Sequence, residues 1–200
     1  MRAATSCLLI ALAALQAGCS APAGQTTALR RADPVAIVPA AAPITRPVPA
    51  ALQVDAGASC RIPGLRESIL QQINAARAKG GTCGKRAMPS APPVMWNDAL
   101  YAAAAKHSRD MAADNYFDHR DAHGRHVGER VDAEGYRWHA VAENIAGGDR
   151  SVDSVVRGWL RSPVHCEAML DAQYADVAVA CVARPMTEWG TYWTMVLGRR

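Results

Sequence analysis

Apolar residues recur at helical spacing in three long stretches of this chain. In "PGLRESILQQINAARAKGG", Leu65, Ile69, Ile73 and Ala76 share one stripe. Pro63 stands near the entry and glycines follow the exit, so the segment predicts an amphipathic helix. In "WNDALYAAAAKHSRDMAADNYF", Leu100, Ala104, His107 and Met111 fall on one face, which turns His107 inward. In "SVDSVVRGWLRSP", Val152, Val155, Val156 and Trp159 form the inner face, and Pro163 closes the run. A short helix is predicted over "VHCEAML". The period then changes. "DVAVACVAR" and "TYWTMVLG" are apolar at both alternating faces, as strands covered on both sides are. The turn "PMTEWG" between them predicts an antiparallel hairpin, and "AENIAGG" reads as a third strand ended by Gly147 and Gly148. Helices on both faces of a small antiparallel sheet make an α+β fold, a three-layer α-β-α sandwich.

The first 59 residues do not share this pattern. Met1-Arg2 precedes the apolar run "CLLIALAALQAG", too short to span a bilayer and suited to a secretory signal over residues 1–19. "LQAGC" resembles a bacterial lipoprotein processing site with Cys19 as the acylated residue, although Gln16 stands where Leu is usual. Cleavage after "APA" at Ala23 is the alternative, and would release a secreted protein. On either reading the mature chain is exported. It is anchored to the membrane of the cell envelope through lipidated Cys19 on the first, and free on the second. Residues 20–59 are rich in Ala and Pro without apolar periodicity, which predicts a disordered tether before a domain over 60–200.

Charge narrows the partners only slightly. From Cys60 onward 18 Lys and Arg are interspersed with 16 Asp and Glu, with no basic stripe interleaved by aromatics, so nucleic acid is not an expected partner. Cys60, Cys83, Cys166 and Cys181 remain after the signal region and predict two disulfides in an oxidising compartment. The local pairs Cys60–Cys83 and Cys166–Cys181 are simplest. A link from the N-terminal segment to the sheet is equally compatible with the chain. A four-cysteine zinc site would want a C-x-x-C pair, which is missing.

All six histidines lie between positions 107 and 165. Three crowd into "FDHRDAHGRH", where Gly124 argues against a helical turn that could aim them at one ion. His123 and His126 are therefore expected on a solvated loop, His139 on the surface, and His107 in the core. Arg130 is expected to pair with Asp118 or Asp121, and Asn144 to cap backbone groups around a cleft.

"KHSRDMAADNYFDH", "GYRWHAVAENIAGG", "GWLRSPVHCEAML" and "YWTMVLG", in that order, resemble bacterial members of the CAP superfamily, whose unit is also called the SCP domain. The name joins cysteine-rich secretory, antigen five and pathogenesis-related one proteins. The resemblance runs over about residues 63–198 and implies an α-β-α sandwich. It further implies a cleft lined by two histidines and a glutamate, which map to His119, His165 and Glu143. Ala142 and Val164 replace glycines of the family motifs, and Met195 replaces a common Gln. Ser162 stands where eukaryotic members carry a second glutamate.

Two imidazoles and a carboxylate can hold zinc or another divalent cation with one position open. They can also work without metal as a hydrogen-bonded acid–base set, or merely satisfy buried polar groups. Ser162 lacks a nucleophile elbow, and Cys166 is expected in a disulfide. The functional expectation is an envelope protein whose cleft binds a small ligand, lipid, glycan, protein or divalent metal. A metal-dependent, protease-like hydrolase using the same cleft is the alternative.

Overall fold

A computed structural model describes residues 58–200. The signal segment, Cys19 and nearly all of the tether lie outside the described residues. In chain order the elements are β1 (Ala58–Ser59), α1 (Leu65–Lys79), β2 (Gly81–Cys83), β3 (Arg86–Met88), β4 (Met95–Trp96) and α2 (Asp98–Asp114). They continue with α3 (Val127–Ala133), β5 (Ala140–Gly147), α4 (Val152–Arg161), α5 (Pro163–Leu170), β6 (Asp176–Ala183) and β7 (Thr191–Arg199).

The predicted helices and strands are present, and their ends have local causes. The side chain of Asn97 accepts the Ala99 and Leu100 N–H groups at the start of α2, satisfying donors the helix cannot. Gly80 ends α1 at φ 64°, and a Cβ there would lie 2.6 Å from the Met88 carbonyl oxygen, so only glycine fits. Five short elements exceed the reading of the pattern: β1, β2, β3, β4 and α3. The hairpin β2–β3 pairs Gly81–Cys83 with Arg86–Met88. Residues Ala58 and Ser59, placed at the end of the tether by composition, instead pair with β6. Helix α3 begins in the stretch read as a loop, where Glu129 Oε2 accepts the His126 backbone N–H at 2.9 Å.

The main sheet runs β1-β6-β7-β5, with β4 also against β6. The hairpin β6–β7 and the pair β5–β7 are antiparallel as expected, whereas the two-residue β4 pairs parallel to β6. The alternation of β6 divides the core. Val177, Val179 and Cys181 pack with Ile69, Ile73, Val155 and Trp159 of α1 and α4. Ala178 and Ala180 pack with Leu100, Ala104 and Val131 of α2 and α3. Because successive side chains leave opposite faces of a strand, these two sets are two helical layers on either side of one sheet. The α+β, α-β-α expectation is met.

The cysteines pair between segments far apart in the chain. Cys60 joins Cys181, and Cys83 joins Cys166. The simplest, local pairing is thereby overturned. β1 lies along β6 and brings Cys60 to Cys181, while the β2–β3 hairpin brings Cys83 to α5.

Candidate functional site

β5 is an edge strand, and the site is built around it. Glu143 leaves β5 on the α2–α3 face, and Asn144, the next residue, leaves on the other. The Glu143 side chain is only 3% exposed, and each of its oxygens is engaged. Oε1 accepts from His119 Nδ1 at 2.9 Å, and Oε2 accepts from the Arg130 guanidinium, itself buried. A carboxylate only accepts, so His119 carries its hydrogen on Nδ1 and presents Nε2 outward. The His119 side chain is 52% exposed, so solvent meets this group through the imidazole and not through the acid.

Arg130 also fixes the loop that carries His119. Its other terminal nitrogen donates to the His119 and Arg125 carbonyls, each at 2.8 Å. The expected partners of Arg130, Asp118 and Asp121, are occupied elsewhere. Asp121 accepts the His123 and Arg125 backbone N–H groups and the Arg125 side chain, and Asp118 accepts the Arg120 N–H. Acids close in sequence cap their own loop, which leaves the buried guanidinium to a distant carboxylate.

His165 approaches from α5 in the other helical layer. Asn144 Nδ2 donates to its backbone carbonyl at 3.1 Å, the capping role expected of Asn144. Burial lowers the His165 pKa below its ordinary value, and the positive charge of His119 lowers it further. The hydrogen bond it donates to Glu143 raises the pKa of His119, against a smaller opposing effect of burial. The two imidazoles are thus pushed apart in basicity.

His107 sits underneath, fully buried. Its Nε2 donates to the Asp118 carbonyl at 2.9 Å and lies 3.9 Å from Glu143 Oε1, so the core histidine also faces the cleft carboxylate. Its Nδ1 has no protein partner. Burial lowers its pKa, against the opposing pull of Glu143. Helical spacing turned this residue inward, but could not show what it would meet. His123, His126 and His139 are exposed, as expected. Ser162 stands between α4 and α5, and Cys166 is consumed by its disulfide. Beyond the site, Phe117 stacks on Trp189 with ring centroids 5.0 Å apart. Trp189 in turn covers Gly147 so closely that a Cβ there would lie 2.7 Å from the indole.

His119 and Glu143 therefore meet directly, and Asn144 ties the His165 backbone to the same strand, but the three do not form an open cage of ligands. Among the described residues no group of three or more His, Cys, Asp and Glu side chains is disposed to hold a metal ion. Glu143 is shared between a guanidinium and an imidazole, and a dication on the same oxygens would have to displace one of them. As arranged, the set does not fit a three-ligand metal site. Its chemistry is that of an oriented imidazole with a buried carboxylate behind it. Among the described residues no helix is long and apolar enough to cross a membrane.

The family model for the cysteine-rich secretory protein (CAP) family matches residues 70–197. The Bacillus subtilis protein YkwD is 26% identical over 133 residues, 66% of this chain, and the chain spans just under half of that relative, 46%. An extracellular protein containing an SCP domain from Bacillus anthracis superposes with a TM-score of 0.57 at 23% identity, over 68% of this chain and 41% of its own. An outer surface protein of Borrelia burgdorferi does so with a TM-score of 0.60 at 17% identity, over 72% of this chain and 98% of its own.

Proposed function

The chain belongs to the cysteine-rich secretory protein (CAP) family, and from that premise we propose that it is an exported protein whose cleft binds a small polar ligand through His119 and His165. The observation that carries this reading is the Glu143–His119 hydrogen bond, backed by Arg130. It holds one imidazole with Nε2 toward solvent, while His165, whose backbone is held by the next residue of β5, has its pKa displaced the other way. On this reading the raised and the lowered histidine present a donor and an acceptor to one ligand over a shared pH range, which suits a hydroxyl or amide group of a glycan or lipid headgroup. The pair has a general acid and a general base available, yet among the described residues no protein nucleophile accompanies it. Binding is thus better supported than a hydrolase.

Export is supported by the two disulfides, which an oxidising compartment maintains, and by the apolar N-terminus. On this reading Cys19 carries the lipid that anchors the protein to the envelope membrane, and residues after it form the tether.

The test is recovery of the protein from its native membrane, followed by mass spectrometry of co-purifying glycans and lipids and by metal analysis. The His119→Ala and His165→Ala variants are carried in parallel. A glycan or lipid present in the native protein and depleted in both variants supports the reading. One equivalent of zinc lost from both variants would overturn it in favour of a metal site.

A further inference from the structure

β5 is an edge strand of eight residues that pairs only with β7 among the described residues. The Gly148 N–H donates to the Thr191 carbonyl at 3.1 Å where this ladder ends, and that bond sets the alternation along the strand. Ala142 and Asn144 turn their backbone N–H and C=O groups to β7, whereas Val141, Glu143 and Ile145 turn theirs away from the sheet. Trp159 Nε1 donates to the Ile145 carbonyl at 3.2 Å. The backbone groups of Val141 and Glu143 have no hydrogen-bond partner among the described residues. They also meet solvent. Glu143 is half-buried as a residue although its side chain is only 3% exposed, so its accessible surface lies largely on the main chain. The far side of the sheet differs. There β1 and β4 satisfy outward groups of β6, with the Cys60 N–H on the Cys181 carbonyl and the Asn97 N–H on the Val177 carbonyl.

We infer that the outer edge of β5 at Val141–Glu143 is a docking site for an extended peptide, which adds to the main sheet as a further strand beside His119. Two alternate residues that each offer an N–H and a C=O repeat every ~6.8 Å, the repeat of an extended main chain. Free edges are commonly guarded by Pro, Lys or a bulge, but "AVAENIAG" carries no Pro, Lys or Arg and its register to β7 is unbroken. Glu143, an inward charge of the kind that can guard an edge, is already paired with Arg130 and His119. The edge is flanked on both faces: Glu143 holds His119 on one, and Asn144 holds the His165 carbonyl of α5 on the other. A single strand can enter between such walls. A second copy pairing β5 to β5 would drive its own His119 loop and α5 into them. Strand addition uses main-chain groups that the small-ligand reading leaves unused, and does not rest on it.

The test selects a random peptide display library on the purified chain and measures the enriched peptide, synthesised, by isothermal titration calorimetry. Two N-methylated forms of that peptide are compared. Methyl groups on one alternate set of amides remove the N–H groups that face β5, and methyl groups on the other set leave them. One form should bind at least about tenfold more weakly and the other about as well as the parent. Val141→Pro removes one edge donor without touching the ladder to β7, and should weaken binding by a similar factor. In the wild type, amide hydrogen exchange at Val141 and Glu143 should slow when the peptide is bound. No enriched peptide, equal binding of the two methylated forms, unchanged binding to Val141→Pro, or unslowed exchange at Val141 and Glu143 would each overturn the assignment. Slowed exchange that accompanies dimerisation without peptide would overturn it in favour of a second copy.

Discussion

Glu143 Oε1 accepts from His119 Nδ1 at 2.9 Å, with the acid sealed from solvent and the imidazole half open to it. This asymmetry means that whatever enters the cleft meets His119 first and senses Glu143 only through the ring. It also makes His119 the residue whose titration reports on the site.

Replacement of Glu143 by Gln removes the charge that raises His119 and keeps the side-chain shape. The His119 pKa should fall to its ordinary value or below in Glu143→Gln, followed by the imidazole Cε1–H resonance across a pH titration. An unchanged titration would show that the hydrogen bond does not govern this histidine.

The buried Arg130–Glu143 pair predicts an asymmetry in stability. Arg130→Met should cost about 3–5 kcal/mol in denaturant unfolding, because it strands a buried carboxylate. The double variant Arg130→Met/Glu143→Leu should recover a large part of that loss. Additive losses would indicate that the charges do not act on each other.

The two cleft histidines oppose each other with pH. His119 has a raised folded-state pKa, so its contribution to stability is complete below the unfolded value of about 6.5 and disappears as pH rises through the folded value. His165 and His107 have lowered values, so theirs is complete above about 6.5 and is lost as pH falls through their folded values. Acidification from neutrality should therefore destabilise the wild type through His107 and His165, and His165→Gln should flatten that fall when melts are compared between pH 7 and pH 4. A steeper fall in the variant contradicts the assignment.

Cys60–Cys181 and Cys83–Cys166 close loops of 121 and 83 residues in sequence separation. Chain-entropy reasoning assigns each about 4–5 kcal/mol, an upper figure for a protein with residual unfolded structure. Peptide mapping under non-reducing conditions should recover these two pairs and no others. Cys83→Ser/Cys166→Ser should lower the melting temperature under oxidising conditions by several degrees or more.

Arg77 on α1 is fully buried and donates to four backbone carbonyls, of Pro92, Met169, Asp171 and Tyr174, without a carboxylate partner. Arg77→Ala should cost more than about 3 kcal/mol by leaving those acceptors dry. Arg77→Lys should also destabilise by about 1–3 kcal/mol, because one ammonium cannot span the four positions of a planar fork. Equal stability of the lysine variant and the wild type would refute this account.

Much of the architecture was legible from the order of residues alone, since burial imposes a period on whatever packs. The stripe of Ile69 and Ile73 and the doubly apolar β6 and β7 marked two helical layers and the sheet between them. Elements too short to show a period, β1, β2, β3, β4 and α3, escaped; of these, β1 and β4 are defined only by pairing with the distant β6. The motif residues His119, Glu143 and His165 were identifiable by resemblance; His119 meets Glu143 of β5, and Asn144 of β5 holds the His165 backbone carbonyl. Tertiary structure decided what the residues do to one another: that Arg130 turns to Glu143 instead of the nearer aspartates, that His107 looks up at the same carboxylate, and that each cysteine joins a partner far along the chain. Those choices belong to desolvation and charge pairing. Both depend on which groups folding buries together, and local sequence carries no record of that distance.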